Sequence, residues 1–238
     1  MKLLIDAGNT RIKWALVRDR EWLQGGVLPI GQAAELPQCI GAIQGVRQIW
    51  VSNVGGEEIA RHIRRIGAAP LHFIVAREMQ CGVRNGYADP QQLGSDRWAA
   101  LIAARHLAGG SCLVVTGGTA TTIDALSETG EFMGGLILPG VDLMQHALCG
   151  ATAQLKPSPG AYAEFPRNTA DALFSGAIQA SCGAIQRQYA LLGGGKAQVV
   201  LSGGAAAQLH AHIGLPVRVV DNLVLQGLLL IAQEAGAC

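Results

Sequence analysis

The sequence predicts an α/β protein made of two similarly designed halves, and three stretches carry that expectation. Leu3-Leu4-Ile5 is a short apolar run suited to a buried strand. It breaks at Asp6, Ala7 and Gly8 before the polar pair Asn9-Thr10. Beyond the break, Ile12, Trp14 and Leu16 alternate with Arg11, Lys13 and Ala15, the period of a strand rather than a helix. The unit is a hairpin with Asp6 at a strand end. Leu113 to Asp124 repeats the design: an apolar strand, the small-residue turn Thr116-Gly117-Gly118-Thr119, then Thr/Ile alternation. At Val199-Val200-Leu201-Ser202-Gly203-Gly204-Ala205 a third apolar strand runs into a glycine pair ahead of a helix. Two such hairpins, one per half, imply a duplicated domain.

In the first half, Glu21 to Pro29 adds a third strand, and Gln32 to Gln44 reads as a helix broken by Pro37. Arg47 to Asn53 returns as a strand through Ile49, Trp50 and Val51. Glu57 to Ile66 places Ile59, Ile63 and Ile66 on one helical face, with Arg61, Arg64 and Arg65 on a solvated one. His72 to Val75 is a further strand. The polar stretch from Arg77 to Gln92 is a long loop, a kind often functional in compact domains. A helix from Ser95 to Ala108 follows, with Trp98, Leu101, Ile102 and Leu107 as core candidates and Asp96 and Arg97 in its first turn, where a carboxylate also suits the helix dipole.

Gly109-Gly110-Ser111 is the expected boundary, giving domains at 1–108 and 109–238. In the second half Phe132 to Leu138 is a strand ending at Pro139-Gly140, Val141 to Cys149 is helical, and Gly150 to Pro166 is a loop. Asn168 and Thr169 start a long helix to about Leu192, stopped by Gly193-Gly194-Gly195. A strand at Val217 to Val220 and a closing helix from Asn222 to Glu234 complete this half.

Bulk properties exclude several classes. Half of the 238 residues are apolar and the formal charge is +1, so no electrostatic excess invites nucleic acid or an anionic membrane. The N-terminus meets Asp6 too soon for a signal peptide, and no apolar run approaches a membrane span, so the expected location is cytoplasmic. Cys39, Cys81, Cys112, Cys149, Cys182 and Cys238 lie far apart without metal spacing and read as reduced, mostly buried thiols. His210 and His212 face two sides of a helix and share no ligand.

The first hairpin is not a Walker-type loop, which needs a longer glycine loop, a Lys-Ser/Thr pair and a following helix. It can hold triphosphate another way. Gly8 lets phosphate oxygens approach the backbone, Asn9 and Thr10 supply donors, and Asp6 can hold Mg²⁺ through water. An ordinary turn uses Asn and Gly too, and the second copy at 116–119 is what favours the phosphate-binding reading. The glycine pair at 203–204 lets a flat adenosine group lie against the backbone.

These three segments in this order resemble the actin, hexokinase and acetate kinase superfamily, which implies two ribonuclease-H-like domains with ATP in the cleft between them. Tyr87-Ala88-Asp89-Pro90-Gln91-Gln92-Leu93-Gly94-Ser95-Asp96-Arg97 narrows the match, being similar to the Tyr…Pro…Leu-Gly-x-Asp-Arg signature of type III pantothenate kinases. That family's other motifs are matched by Asp6 to Thr10, Gly118 to Asp124, Gly134 to Gly140 and Asn168-Thr169, so the resemblance spans nearly the whole chain.

The resemblance implies ATP-dependent phosphorylation of pantothenate to 4′-phosphopantothenate, the first step of coenzyme A biosynthesis. Asp6, Ala7, Gly8, Asn9, Thr10, Arg11, Ile12 and Lys13 then bind ATP together with Thr119, Asp6 serving Mg²⁺. Asp96 is implied as the catalytic proton acceptor. Tyr87, Gly94, Ser95, Asp96, Arg97 and Thr169 are implied to hold pantothenate, Arg97 suiting its carboxylate. A homodimer whose neighbouring subunit helps close the substrate site is implied as well. One departure stands out: the family's monovalent-cation aspartate, two residues before Gly-Thr-Ala, is Thr116 here, which puts potassium or ammonium binding in question. The alternatives are a nucleotide-binding regulatory protein of the same fold without turnover, and a sugar or acetate kinase, which fold alone does not reject.

Overall fold

The computed structural model describes residues 1–40, 45–67, 69–152, 155 and 158–236. It divides into two compact units, Met1–His106 with Asn222–Cys238, and Leu107–Asp221.

The first unit opens with an antiparallel meander of β1 (Lys2–Ala7), β2 (Arg11–Arg18) and β3 (Glu21–Pro29). A 3₁₀ segment, Ile30–Glu35, leads into α1 (Leu36–Ile40). β4 (Gln48–Asn53) then runs parallel to β1; α2 (Glu57–Ile63) follows, and β5 (Leu71–Phe73) runs parallel to β4. The sheet order is β3-β2-β1-β4-β5. A small hairpin of β6 (Met79–Gln80) and β7 (Val83–Asn85) precedes a 3₁₀ turn at Pro90–Gln92 and α3 (Ser95–Ala108).

The second unit repeats the plan. β8 (Cys112–Gly117), β9 (Ala120–Leu126) and β10 (Glu131–Pro139) form the meander, followed by α4 (Val141–Ala151) and α5 (Thr169–Leu191). β11 (Gln198–Ser202) is parallel to β8; α6 (Ala206–Ile213) comes next, and β12 (Val217–Val219) is parallel to β11. The strands lie in the order β12-β11-β8-β9-β10, the first unit's arrangement with each strand exchanged for its counterpart. Both units are therefore ribonuclease-H-like. The chain closes with α7 (Leu223–Glu234).

Period-two alternation sets what each sheet face meets. Leu3, Ile5, Ala7, Ile12, Trp14, Ile49 and Val51 point to one face of the first sheet and form a core with Leu36 and Ile40 of α1 and Ile59 and Ile63 of α2. Asp6, Lys13 and Ser52, which alternate with them in register, point to the other side. There α7 packs on β1 and β4. α7 also presses on α3, since a Cβ on Gly227 would run into the carbonyl of Ala99. The second unit buries Leu113, Val115, Ile123, Val199 and Leu201 against α5 and α6 through Ile178, Cys182, Ile185, Leu209 and Ile213.

Four expectations change. The helix expected over 32–44 becomes the 3₁₀ segment and α1, in which Pro37 occupies the first turn, where its missing N–H costs nothing; residues 41–44 lie outside the described ones. The loop expected over 77–92 contains β6 and β7, strands too short and too polar to show a periodicity. The closing helix, assigned to the second half by its place in the sequence, groups with the first unit, where its apolar surface is buried. The described cysteines carry no disulfide, but only Cys112 and Cys182 are buried, and Cys39 is exposed; Cys238 lies outside the described residues. No helix among the described residues is long and apolar enough to cross a membrane.

Candidate active site

Asp6 is the penultimate residue of β1, flanked in register by Lys13 on β2 and by Ser52 on β4. Directly opposed residues share a sheet face, so the carboxylate and the ammonium stem lie together. Burial pushes the Asp6 carboxyl up to about 7; the charge of Asp96 adds to the rise and that of Lys13 opposes it. The sheet end and the start of α3 thus bring Asp6, Lys13 and Asp96 into one electrostatic group. Two carboxylates with one lysine favour a cation.

The turn after β1 is closed by Gly8 N–H donating to the carbonyl of Arg11 at 3.1 Å. Asn9, Thr10 and Arg11 are exposed, whereas Ala7 and Ile12 are fully buried in the core, so these two can meet a ligand only through their backbone.

Around Asp96 the backbone is tightly fixed. Oδ1 of Asp96 accepts from the N–H of Arg97 at 2.8 Å, and the N–H of Trp98 donates to the carbonyl of Gly94 at 2.9 Å, the opening bond of the helix. A Cβ on Gly94 would stand 2.7 Å from Oδ1 of Asp96, so glycine is what leaves the carboxylate this position. Ser95 is buried, and its Oγ lies 2.9 Å from Oγ of Ser52, which is also buried.

Arg97 is 6% exposed, and its guanidinium donates to the Tyr87 hydroxyl at 3.0 Å while lying 5.8 Å from that ring's centroid. Buried Asn85 holds the Tyr87 loop at both ends, its Oδ1 accepting from the N–H of Tyr87 at 3.0 Å and its Nδ2 donating to the carbonyl of Pro90 at 3.1 Å. Trp98 donates from Nε1 to Gln80 on β6 at 3.0 Å. A planar guanidinium at the start of α3 and a phenol on the braced loop before it suit recognition of a carboxylate beside a hydroxyl.

In the second unit Thr116 is penultimate in β8, the position of Asp6 in β1, and its register neighbours are Ser202 and Thr122. Thr119 is exposed in the β8–β9 turn. The turn after β11 packs on it: Ala205 N–H donates to the carbonyl of Gly117 at 3.1 Å, and Gly203, at φ +101°, has no room for a Cβ against that same carbonyl. Such a cradle of close backbone suits a flat or phosphate-bearing ligand. Thr169 opens α5 just after its N-cap Asn168, and with Met144, Leu148, Ala172, Leu173 and Gly176 it lines an apolar groove of about 430 Å³.

Among the described residues no three His, Cys, Asp or Glu side chains gather to hold a metal. Mg²⁺ commonly takes one or two carboxylates and completes its shell with phosphates and water, and Asp6 fits that donor set. The position of a charged monovalent-cation ligand does not fit, because Thr116 and its register neighbours are all neutral hydroxyls.

The sequence reading did not single out Ser52, Asn85, Gln80 or Gly227. Ser52, Gln80 and Gly227 act through partners distant in sequence, whereas the partners of Asn85 are two and five residues away, so an asparagine inside a polar stretch was the one local signal.

Two ribonuclease-H-like units in one chain define the fold class of actin and the sugar kinases. (R)-2-hydroxyglutaryl-CoA dehydratase component A from Acidaminococcus fermentans has the same fold, at a TM-score of 0.59 and 13% identity over 99% of this chain and 98% of that one. Residues 2–191 match the family model of type III pantothenate kinase. The type III pantothenate kinase of Aromatoleum aromaticum is 51% identical over the whole of both chains, and that of Nitrosospira multiformis is 48% identical over 98% of this chain and 91% of its own. The chain belongs to the type III pantothenate kinase family.

Proposed function

We propose that this chain transfers the γ-phosphoryl group of ATP to pantothenate, giving 4′-phosphopantothenate and ADP, the first step of coenzyme A biosynthesis. The observation that carries the reading is the gathering of Asp6 and Lys13 at the sheet end with Asp96 at the start of α3, where the next residue, Arg97, donates to the Tyr87 hydroxyl of the preceding loop.

ATP is held by the segment from Asp6 to Lys13 and by Thr119, with Ala7 and Ile12 contributing backbone. Mg²⁺, when bound by Asp6 with phosphate oxygens and water, neutralises charge on the triphosphate. Lys13 faces the same side and offsets charge developing on the transferred group. Pantothenate is held by Tyr87, Gly94, Ser95, Arg97 and Thr169, Arg97 taking the carboxylate. The substrate hydroxyl oxygen attacks the γ-phosphorus as the bond to the bridging oxygen of ADP breaks, and Asp96 accepts the hydroxyl proton. A carboxylate is a weak base toward an alcohol, but a loose transition state releases that proton late and asks little of it. The enzyme works as a cytoplasmic homodimer, as the family resemblance implies.

The test is a coupled ADP-release assay with pantothenate, pantetheine, glucose and acetate in parallel. Turnover with pantothenate and not with glucose or acetate is expected; turnover with none of the four would favour a non-catalytic nucleotide-binding protein.

A further inference from the structure

We propose that Ser52 is a positioning residue for phosphoryl transfer, its bond to Ser95 fixing where Asp96 stands relative to Asp6. The inference rests on the reading of Asp6 and Asp96 as the cation-holding and proton-accepting carboxylates. Ser52 lies on β4 directly beside Asp6 of β1 in the parallel register, and Ser95 begins α3 one residue before Asp96. Their hydroxyl oxygens are 2.9 Å apart across 43 residues of sequence. The bond therefore joins the strand end that carries one carboxylate to the helix turn that carries the other.

Ser52 is wholly buried and has no access to a substrate, so any effect it has on turnover passes through Ser95. The elements it joins differ in stiffness. β4 is a central strand, hydrogen-bonded on both sides by β1 and β5, and Val54 beyond it is tied to the carbonyl of Ala7 at 2.9 Å. The first turn of α3, like any helix start, lacks intrahelical partners for its N–H groups and is held by what it touches. Two buried hydroxyls satisfying each other are a directional constraint that apolar packing around them does not supply. The fixed quantity is the distance and angle between the two carboxylates, on which in-line transfer depends; a displacement of about 1 Å can cost about a hundredfold in rate.

The experiment measures kcat per folded molecule, KM for ATP and KM for pantothenate in wild type, Ser52→Ala, Ser95→Ala, the double variant and Ser52→Thr, with the folded fraction taken from thermal melts. Wild-type turnover and its loss in Asp96→Asn are measured first in the same assay. Failure there overturns the reading of the site, whereas success there with an unaffected Ser52→Ala overturns only the positioning role. The expected result is a fall of about ten- to a hundredfold in kcat for each single variant, KM for ATP within about twofold of wild type, a double variant no worse than either single one, and recovery in Ser52→Thr. A folded Ser52→Ala enzyme with kcat within about twofold of wild type, or losses that multiply in the double variant, would overturn the proposal. Should Ser52→Ala not fold, Ser52→Cys, which keeps the volume and weakens the bond to Ser95, is read by the same criteria.

Discussion

Asp6 at the end of β1 and Asp96 in the first turn of α3 come close enough for the charge of one to raise the proton affinity of the other. They lie on elements separated by a whole sheet crossover in sequence, and Ser52 and Ser95 join those elements. Lys13 is the compensating charge, opposite Asp6 in the antiparallel register. A divalent cation held here would relieve the carboxylate repulsion and offset the charge of a triphosphate brought beside it.

The Asp6 carboxyl, pushed up to about 7 from 3.8, sets a pH dependence for cation binding. A cation needs the carboxylate, so the Mg²⁺ requirement should rise about tenfold for each pH unit below 7 and level off above it. Titrating Mg²⁺ by calorimetry at pH 6, 7 and 8 checks this. The same shift acts on stability. Between about pH 4 and 7 the folded, metal-free protein binds a proton that the unfolded chain does not, so stability from this group is present at low pH and is lost as pH rises through that window. Asp6→Asn should flatten that part of the thermal-melt profile.

Arg97→Lys keeps the charge but loses the planar fork that reaches Tyr87. KM for pantothenate should rise about tenfold or more while ATP affinity stays within about twofold, since a hydrogen bond to a charged group is worth roughly 1.5–3 kcal/mol. Tyr87→Phe should give a smaller effect of the same kind. Parallel titration of both ligands separates this from a role on the phosphates, in which ATP affinity would fall equally.

Gly227 sits where α7 crosses α3 against the backbone of Ala99. Gly227→Ala must part the two helices, and overpacking of this sort costs about 1–3 kcal/mol. Because α3 carries Asp96, kcat should fall with the melting temperature. A variant as stable as wild type would mean that the helices part without cost.

Thr116 predicts weak dependence on monovalent cations. A neutral hydroxyl in the row Ser202, Thr116, Thr122 attracts potassium less than a carboxylate would, so activity should be indifferent to potassium and ammonium or need them at high concentration. Thr116→Asp should lower the half-saturating potassium concentration in a sodium-balanced buffer. A wild-type enzyme silent without potassium and saturating at low concentration would contradict this.

What could be read from the chain alone was what local periodicity and motif spacing encode. Leu3 to Ile5 against Ile12 to Leu16 declared a hairpin, and the Tyr87 to Arg97 signature declared the substrate loop. Ser52 looked like the ordinary end of an apolar strand, because its partner is 43 residues away. β6 and β7, of two and three residues, are made by pairing with each other rather than by an apolar pattern. α7 was placed by sequence order, but its apolar surface belongs to the sheet of β1 and β4. The pairing of Arg97 with Tyr87 likewise needs three-dimensional closure: the two are ten residues apart, across a turn pinned by Asn85.

The central claim, that Asp96 accepts the proton as the phosphoryl group moves to pantothenate, is tested most directly by Asp96→Asn. The variant keeps the size of the side chain and an oxygen for the Arg97 N–H, so the start of α3 should survive. Formation of 4′-phosphopantothenate is followed by mass spectrometry under saturating ATP and pantothenate, with ATP binding measured on the same preparation. The predicted result is a fall of about a hundredfold to ten-thousandfold in kcat with ATP affinity within about twofold of wild type. A folded variant that keeps more than about a tenth of wild-type kcat would contradict the account, leaving Asp96 as a residue that only steadies the helix start.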